Sequence, residues 1–281
     1  MSILLSLVGS NISTSSSVAS WSDVSTASFV RFDTVNAGGD VRGIFFKPDG
    51  TKVYTVNPSR QLRETTLPTA WDISSHGARD YQLYTNSTNN PNPVGIFFKP
   101  DGTGLYVADL TNSTINQYTL STGWDLSTAS WTRVASVSTF ESNIRGISFS
   151  PDGTMVFVQG MGSNTIKRID LSTAWDISTL GSTTSSAGSS IASSPLNESA
   201  GLGMFMKPDG KRFYIVGNVY NKIYQWNATT AYDVSMVGPT IDDSLTVTAQ
   251  ETTPWSMYIS PDGSHLYVGG GSGNGIDQYS L

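Results

Sequence analysis

The stretch "GIFFKPDGTKVYTV" runs from Gly43 to Val56, and "GIFFKPDGTGLYVA" repeats it almost letter for letter from Gly95 to Ala108. Self-similarity at a fixed period is the mark of a repeat architecture. The Pro-Asp-Gly triplet begins at Pro48, Pro100, Pro151, Pro208 and Pro261, at spacings of 52, 51, 57 and 53 residues. A second signature follows the first four triplets: "TAWDIS" around Trp71, "TGWDLS" around Trp124, "TAWDIS" around Trp175 and "TAYDVS" around Tyr232. After Pro261 the sequence stops at Leu281, where the next copy would fall. The missing copy stands at the other end, in "SWSDVSTASFVRFDTV" from Ser20 to Val35. A last repeat completed by the first residues closes a circle, and closure removes the exposed sheet edges. The reading is therefore all-β: a five-bladed β-propeller over residues 19–281 with four antiparallel strands per blade. Its last blade is closed by an N-terminal strand at about residues 27–35.

Local patterns agree with such a blade. "VRGIFF" (Val41 to Phe46) is a short apolar run suited to an innermost strand. Lys-Pro-Asp-Gly-Thr predicts a tight hairpin, with proline setting φ, aspartate accepting backbone amides and glycine taking the left-handed position. "KVYTV", "QLRETTL" and "ARDYQLY" supply the remaining three strands, and the alternation in "TINQYTL" (Thr114 to Leu120) and "KIYQWN" (Lys222 to Asn227) fits half-buried strands. No segment keeps a helical period.

Composition sets outer limits. Charged residues make up 14% and the net charge is −6, so the chain offers no basic footprint for nucleic acid or an anionic membrane. No stretch is long and apolar enough to span a bilayer. The absence of cysteine excludes disulfides and thiolate chemistry. "MSILLSLVG" lacks a basic residue ahead of its apolar run and makes a poor signal peptide; residues 1–18 read as an extension or tether outside the repeats.

The pattern "GIFFKPDGTxLYV…INQYxLSTAWDISTAS" resembles the Pro-Asp-Gly propeller repeats, loosely related to the YVTN and lactonase-like group, of virion proteins from tailed bacteriophages and of surface proteins from aquatic bacteria. The resemblance covers Ser20 to Leu281. It implies a propeller and a virion location, in a tail, fibre or capsid decoration, with other virion proteins as partners through the N-terminal extension. Host surface glycans are a further partner class, and no cofactor is implied. The alternatives are a soluble or cell-surface lectin and, less favoured, a channel glycosidase or lactonase. The same fold hosts all three classes, so the site has to decide. WD40 partners are not implied: no Gly-His pair precedes the strands, and the repeat exceeds fifty residues.

Carboxylates that recur in every blade point to a role that every blade shares. The hairpin aspartates Asp49, Asp101, Asp152, Asp209 and Asp262 and the aspartates after Trp71, Trp124, Trp175 and Tyr232 are expected to fix turns, with the aromatic ring packing between blades. Glu141, Glu198 and Glu251, with Asn90 in the matching place, recur four residues before the residue that precedes the inner-strand glycine. They can cap loops or, as a ring, bind a cation such as calcium.

What differs between blades lies on the other face, in the loops "NPSR" (Asn57 to Arg60), "DLTNST", "GMGSN", "GNVYN" and "GGGSGN" and in the insert Gly181 to Gly201. Variable loops on a rigid scaffold are the usual geography of recognition. At the channel mouth stand Arg42, Val94, Arg145, Leu202 and Trp255 in equivalent positions. Arg42, Arg145 and Trp255 can hold an anionic or sugar-like ligand, or can plug the channel with the arginines paired to Asp40 and Glu141. Catalysis has little support. His76 and His265 lie in different blades and read as surface residues, and no nucleophile or metalloprotease motif is present; a paired acid/base role across the channel is open to Asp40, Asp109 and Glu198, with nothing that selects them over other acids.

Overall fold

A computed structural model describes residues 21–184 and 186–281. The extension at residues 1–18 lies outside the described residues. Among the described residues, twenty strands form five four-stranded sheets. The first strand, β1 (Ser28–Asp33), belongs to the last blade. Blade one holds β2 (Gly43–Phe46), β3 (Lys52–Val56), β4 (Gln61–Thr66) and β5 (Tyr81–Tyr84). Blade two holds β6 (Pro93–Phe98), β7 (Gly104–Asp109), β8 (Thr114–Leu120) and β9 (Ala129–Ser136). Blade three holds β10 (Ile144–Phe149), β11 (Met155–Gly160), β12 (Thr165–Asp170) and the two-residue β13 (Ser186–Ala187). Blade four holds β14 (Gly201–Met206), β15 (Arg212–Gly217), β16 (Lys222–Asn227) and β17 (Asp243–Thr246). Blade five holds β18 (Pro254–Ile259), β19 (His265–Gly270) and β20 (Ile276–Ser280), and β1 pairs antiparallel with β20 to close the ring. The closing strand is shorter than the predicted 27–35.

Each hairpin glycine has the left-handed backbone its turn requires, from φ +70° at Gly210 to +75° at Gly50 and Gly263. The aromatic residue of the second signature lies on that glycine within its own blade. A Cβ at Gly50 would meet the Trp71 ring at 2.4 Å, and the same relation joins Gly102 to Trp124, Gly153 to Trp175, Gly210 to Tyr232 and Gly263 to Trp21. Trp21 thus completes the fifth repeat, as the reading of the N-terminus requires.

One feature was not legible in the sequence. Trp71, Trp124, Trp175 and Tyr232 themselves sit at positive φ, between +64° and +67°, which is uncommon for bulky residues. The following aspartate holds this conformation locally: Asp72, Asp125 and Asp176 each accept the backbone amide and hydroxyl of the serine two residues on, and Asp233 accepts the Ser235 amide. The hairpin aspartates do the same for Thr51, Thr103, Thr154, Lys211 and Ser264.

The core lies between blades. A tyrosine on the second strand packs on the inner-strand phenylalanine of the next blade: Tyr54 on Phe98 at 4.4 Å, Tyr106 on Phe149 at 4.4 Å and Tyr267 on Phe46 at 4.2 Å between ring centroids. The same hydroxyls reach the carbonyls of Trp124, Trp175 and Trp71 in the next blade. These three seams thereby bury aromatic area and satisfy the polar tip that comes with it, whereas blade three has Phe157 at this position and the Tyr214 hydroxyl of blade four is buried without a partner.

Both histidines lie at the seam between blades five and one rather than on the open surface. His76 Nε2 is 2.8 Å from Asp33 Oδ1 on β1, and the His265 ring stacks on Trp71 and Tyr267. Burial lowers the His265 pKa, partly offset by Asp262.

Candidate functional site

A glycine in the inner strand of four blades, Gly43, Gly95, Gly146 and Gly203, lets neighbouring inner strands approach. A Cβ at Gly43 would meet the Val94 carbonyl oxygen at 2.3 Å, and one at Gly203 would meet Trp255 O at 2.8 Å. In blade five Ser256 takes the position, and its hydroxyl donates to Val41 O at 3.0 Å. This close packing narrows the channel and draws the residues just before those positions together at its mouth.

Three of the five converge. The Arg42 guanidinium carbon lies 4.9 Å from the Trp255 ring centroid, and that of Arg145 lies 5.5 Å from it. Both distances fall within cation–π range. Arg42 donates to Asn92 Oδ1 at 2.6 Å and Arg145 Nε to Asn143 Oδ1 at 2.9 Å, both neutral acceptors. Among the described residues neither guanidinium forms an ion pair, and Arg42 Nε is buried without a partner. The expected pairing with Asp40 and Glu141 is not the arrangement found: Asp40 acts on Arg42 only through its field, and Glu141 is engaged elsewhere.

The electrostatic consequence is direct. Burial lowers the pKa of Arg42, with Asp40 partly opposing it, and burial together with the Arg42 charge brings Arg145 down to about 10. Two half-buried like charges without a carboxylate between them favour an anion at their centre. Below them is a cavity of about 20 Å³, room for about one water molecule. Its floor is the layer Ile44, Ile96, Ile147, Met204 and Met257.

The three glutamates do not converge. Glu141 accepts the amides of Asn143, Gly162 and Ser163 and the Ser163 hydroxyl. Glu198 accepts the amides of Ala200, Val219 and Tyr220 and the Tyr224 hydroxyl. Glu251 accepts from Thr253 and Ser272. Each is buried in its own blade, where it ties the loop entering the inner strand to the loop leaving the second strand. No group of three or more His, Cys, Asp or Glu side chains among the described residues is placed to hold a metal ion.

The device has a sequence signal that spacing alone missed. Where a glutamate stands in the first loop, the second strand ends in glycine, at Gly160, Gly217 and Gly270, and a Cβ there would strike the glutamate side chain. Blade two has Asn90 in place of the glutamate, and its second strand ends in Asp109, which accepts the amides of Asn92 and Asn112 at 2.7 Å each. In blade one the same position is Asn57, which donates to the Ala37 and Gly38 carbonyls. Asp109 and Glu198, two of the acids considered for catalysis, are thus loop ties in separate blades; burial raises the Asp109 pKa against the pull of its amide donors.

No protein-family model and no curated relative matches the sequence. Among solved structures the chain is similar to a putative 6-phosphogluconolactonase from Bacteroides uniformis and to another from Bacteroides fragilis. Each is 15% identical with a TM-score of 0.49, covering 85% of this chain and 67% of that one. A functionally unknown protein from Desulfotomaculum acetoxidans is 14% identical with a TM-score of 0.46, covering 82% of this chain and 62% of that one. The five-bladed assignment rests on the strand pairing described above.

Proposed function

We propose that the chain is a non-enzymatic recognition module of a tailed-phage particle that binds an acidic saccharide of the host surface at the channel mouth on the variable-loop face. The observation that supports it is the Arg42, Trp255 and Arg145 cluster, in which two guanidiniums lacking an acid partner share one indole. An indole face stacks on a sugar ring, and a guanidinium matches a carboxylate or sulfate with paired hydrogen bonds. The repeated carboxylates argue against hydrolysis, because backbone amides already occupy them. The particle location and the attachment through residues 1–18 come from the sequence resemblance.

A glycan array probed with the purified chain tests the ligand. Binding confined to uronate-, sialate- or sulfate-bearing glycans and lost in Trp255→Ala is expected; binding to neutral glycans alone sinks the reading. Particle proteomics with a deletion of residues 1–18 tests the location, with a folded protein that no longer incorporates as the expected result. Silence on the array combined with firm particle association would leave decoration of the particle as the role.

A further inference from the structure

The side chains that floor the arginine cavity also floor a second, larger one on the opposite, Pro-Asp-Gly face. This cavity measures about 310 Å³, and prolines of all five hairpins rim it. Its wall is the position two residues beyond Gly43, Gly95, Gly146, Gly203 and Ser256: Phe45, Phe97, Ser148, Phe205 and Tyr258. Four of these five are aromatic and pack edge to face in sequence around the channel. Phe97 meets Phe45 at 5.5 Å, Phe45 meets Tyr258 at 5.3 Å, and Tyr258 meets Phe205 at 5.5 Å between centroids. The circle breaks at blade three, where Ser148 stands in place of a ring. A gap in an otherwise close-packed aromatic layer forfeits dispersion contacts that a guest restores.

We infer that this cavity is a second binding site, for a neutral, largely apolar small molecule carrying one hydrogen-bonding atom directed at Ser148. Three observations select that guest. The Tyr258 hydroxyl is turned away to the Phe46 carbonyl at 3.3 Å, so Ser148 contributes the one hydroxyl of the wall without a hydrogen-bond partner among the described residues. The rim lysines are neutralised within their own turns, Lys47 by Asp49 at 2.7 Å, Lys99 by Asp101 at 2.9 Å and Lys207 by Asp209 at 2.8 Å, and so offer nothing to an anionic headgroup. The volume matches the small end of small-molecule pockets, whereas a helix about 10 Å thick does not enter it. The site is independent of the arginine cluster, from which the aliphatic layer separates it.

Titration of the full chain with the neutral probe N-phenyl-1-naphthylamine, followed by probe fluorescence, tests the site. The expected result is saturable binding of one probe per chain. Ser148→Phe supplies the phenylalanine that three other blades carry at this position and fills the gap; it is expected to weaken binding at least tenfold while retaining the β-sheet spectrum. Ser148→Leu, smaller than phenylalanine, gives a second obstruction if the first variant does not fold. Absence of saturable binding, or unchanged affinity in a folded Ser148 variant, overturns the inference.

Discussion

The Tyr267 hydroxyl donates a 2.6 Å hydrogen bond to the backbone carbonyl of Trp71, 196 residues away and across the seam where the ring closes. The bond anchors the carbonyl of a residue whose own backbone is left-handed at φ +66°. The Gln278 amide reaches the same carbonyl at 3.0 Å, so the acceptor is served twice. Tyr267→Phe removes one donor and leaves no orphaned acceptor. The expected loss is about 1 kcal/mol, or roughly 2 to 4 °C in Tm, read by thermal denaturation followed by circular dichroism. A loss above about 3 kcal/mol would mean that the seam depends on this bond far more than its geometry implies.

Gly50 and Gly77 make a controlled pair. At Gly50 φ is +75° and a Cβ would lie 2.4 Å from the Trp71 ring, whereas a Cβ at Gly77 meets nothing within 4 Å. Gly50→Ala is expected to cost more than about 2 kcal/mol, since it combines backbone strain with a clash in a packed turn. Gly77→Ala should lie within about 0.5 kcal/mol of the parent. Urea denaturation of the two variants side by side gives the comparison.

Glu141 accepts four hydrogen bonds from its two neighbouring loops and is 1% exposed. Glu141→Gln keeps the shape but turns one acceptor oxygen into a donor facing amides and a hydroxyl. A destabilisation of about 1 to 3 kcal/mol is expected. If the carboxylate served a cation instead, calcium would raise the Tm of the parent and a chelator would lower it; both are expected to leave it unchanged.

Asp277 on β20 gives the fold a pH dependence of known sign. Burial, reinforced by the Glu251 charge, raises its pKa from 3.8 to about 7. The folded state therefore keeps a proton that the unfolded state has already lost. The stabilisation is complete below pH 4 and disappears as pH rises through about 7. Asp277→Asn should remove that slope and raise stability at pH 8 by roughly 1 to 3 kcal/mol. His265 acts in the opposite direction, because its lowered pKa costs stability as pH falls below 6.5. Denaturation midpoints from pH 4 to 9 in both backgrounds separate the two groups.

The repeats, the hairpins and the closure by Trp21 and β1 were legible in the sequence because each is a local pattern written five times. A left-handed glycine, a proline with fixed φ and an aspartate two residues from the amide it accepts act within a few positions, so spacing alone reveals them. Arg42, Arg145 and Trp255 were found as equivalent positions, but only the structure shows that the guanidiniums meet the indole and not the acids Asp40 and Glu141. Glutamate paired with glycine in three blades, and Asn90 paired with Asp109 in a fourth, is also written in the sequence; the pairing gains meaning once two loops some twenty residues apart are seen to touch. The seam tyrosines, the placement of His76 and His265 and the gap at Ser148 were decided by tertiary structure. They depend on what the next blade presents, and side chains separated by some forty to more than two hundred residues meet only after the ring has closed.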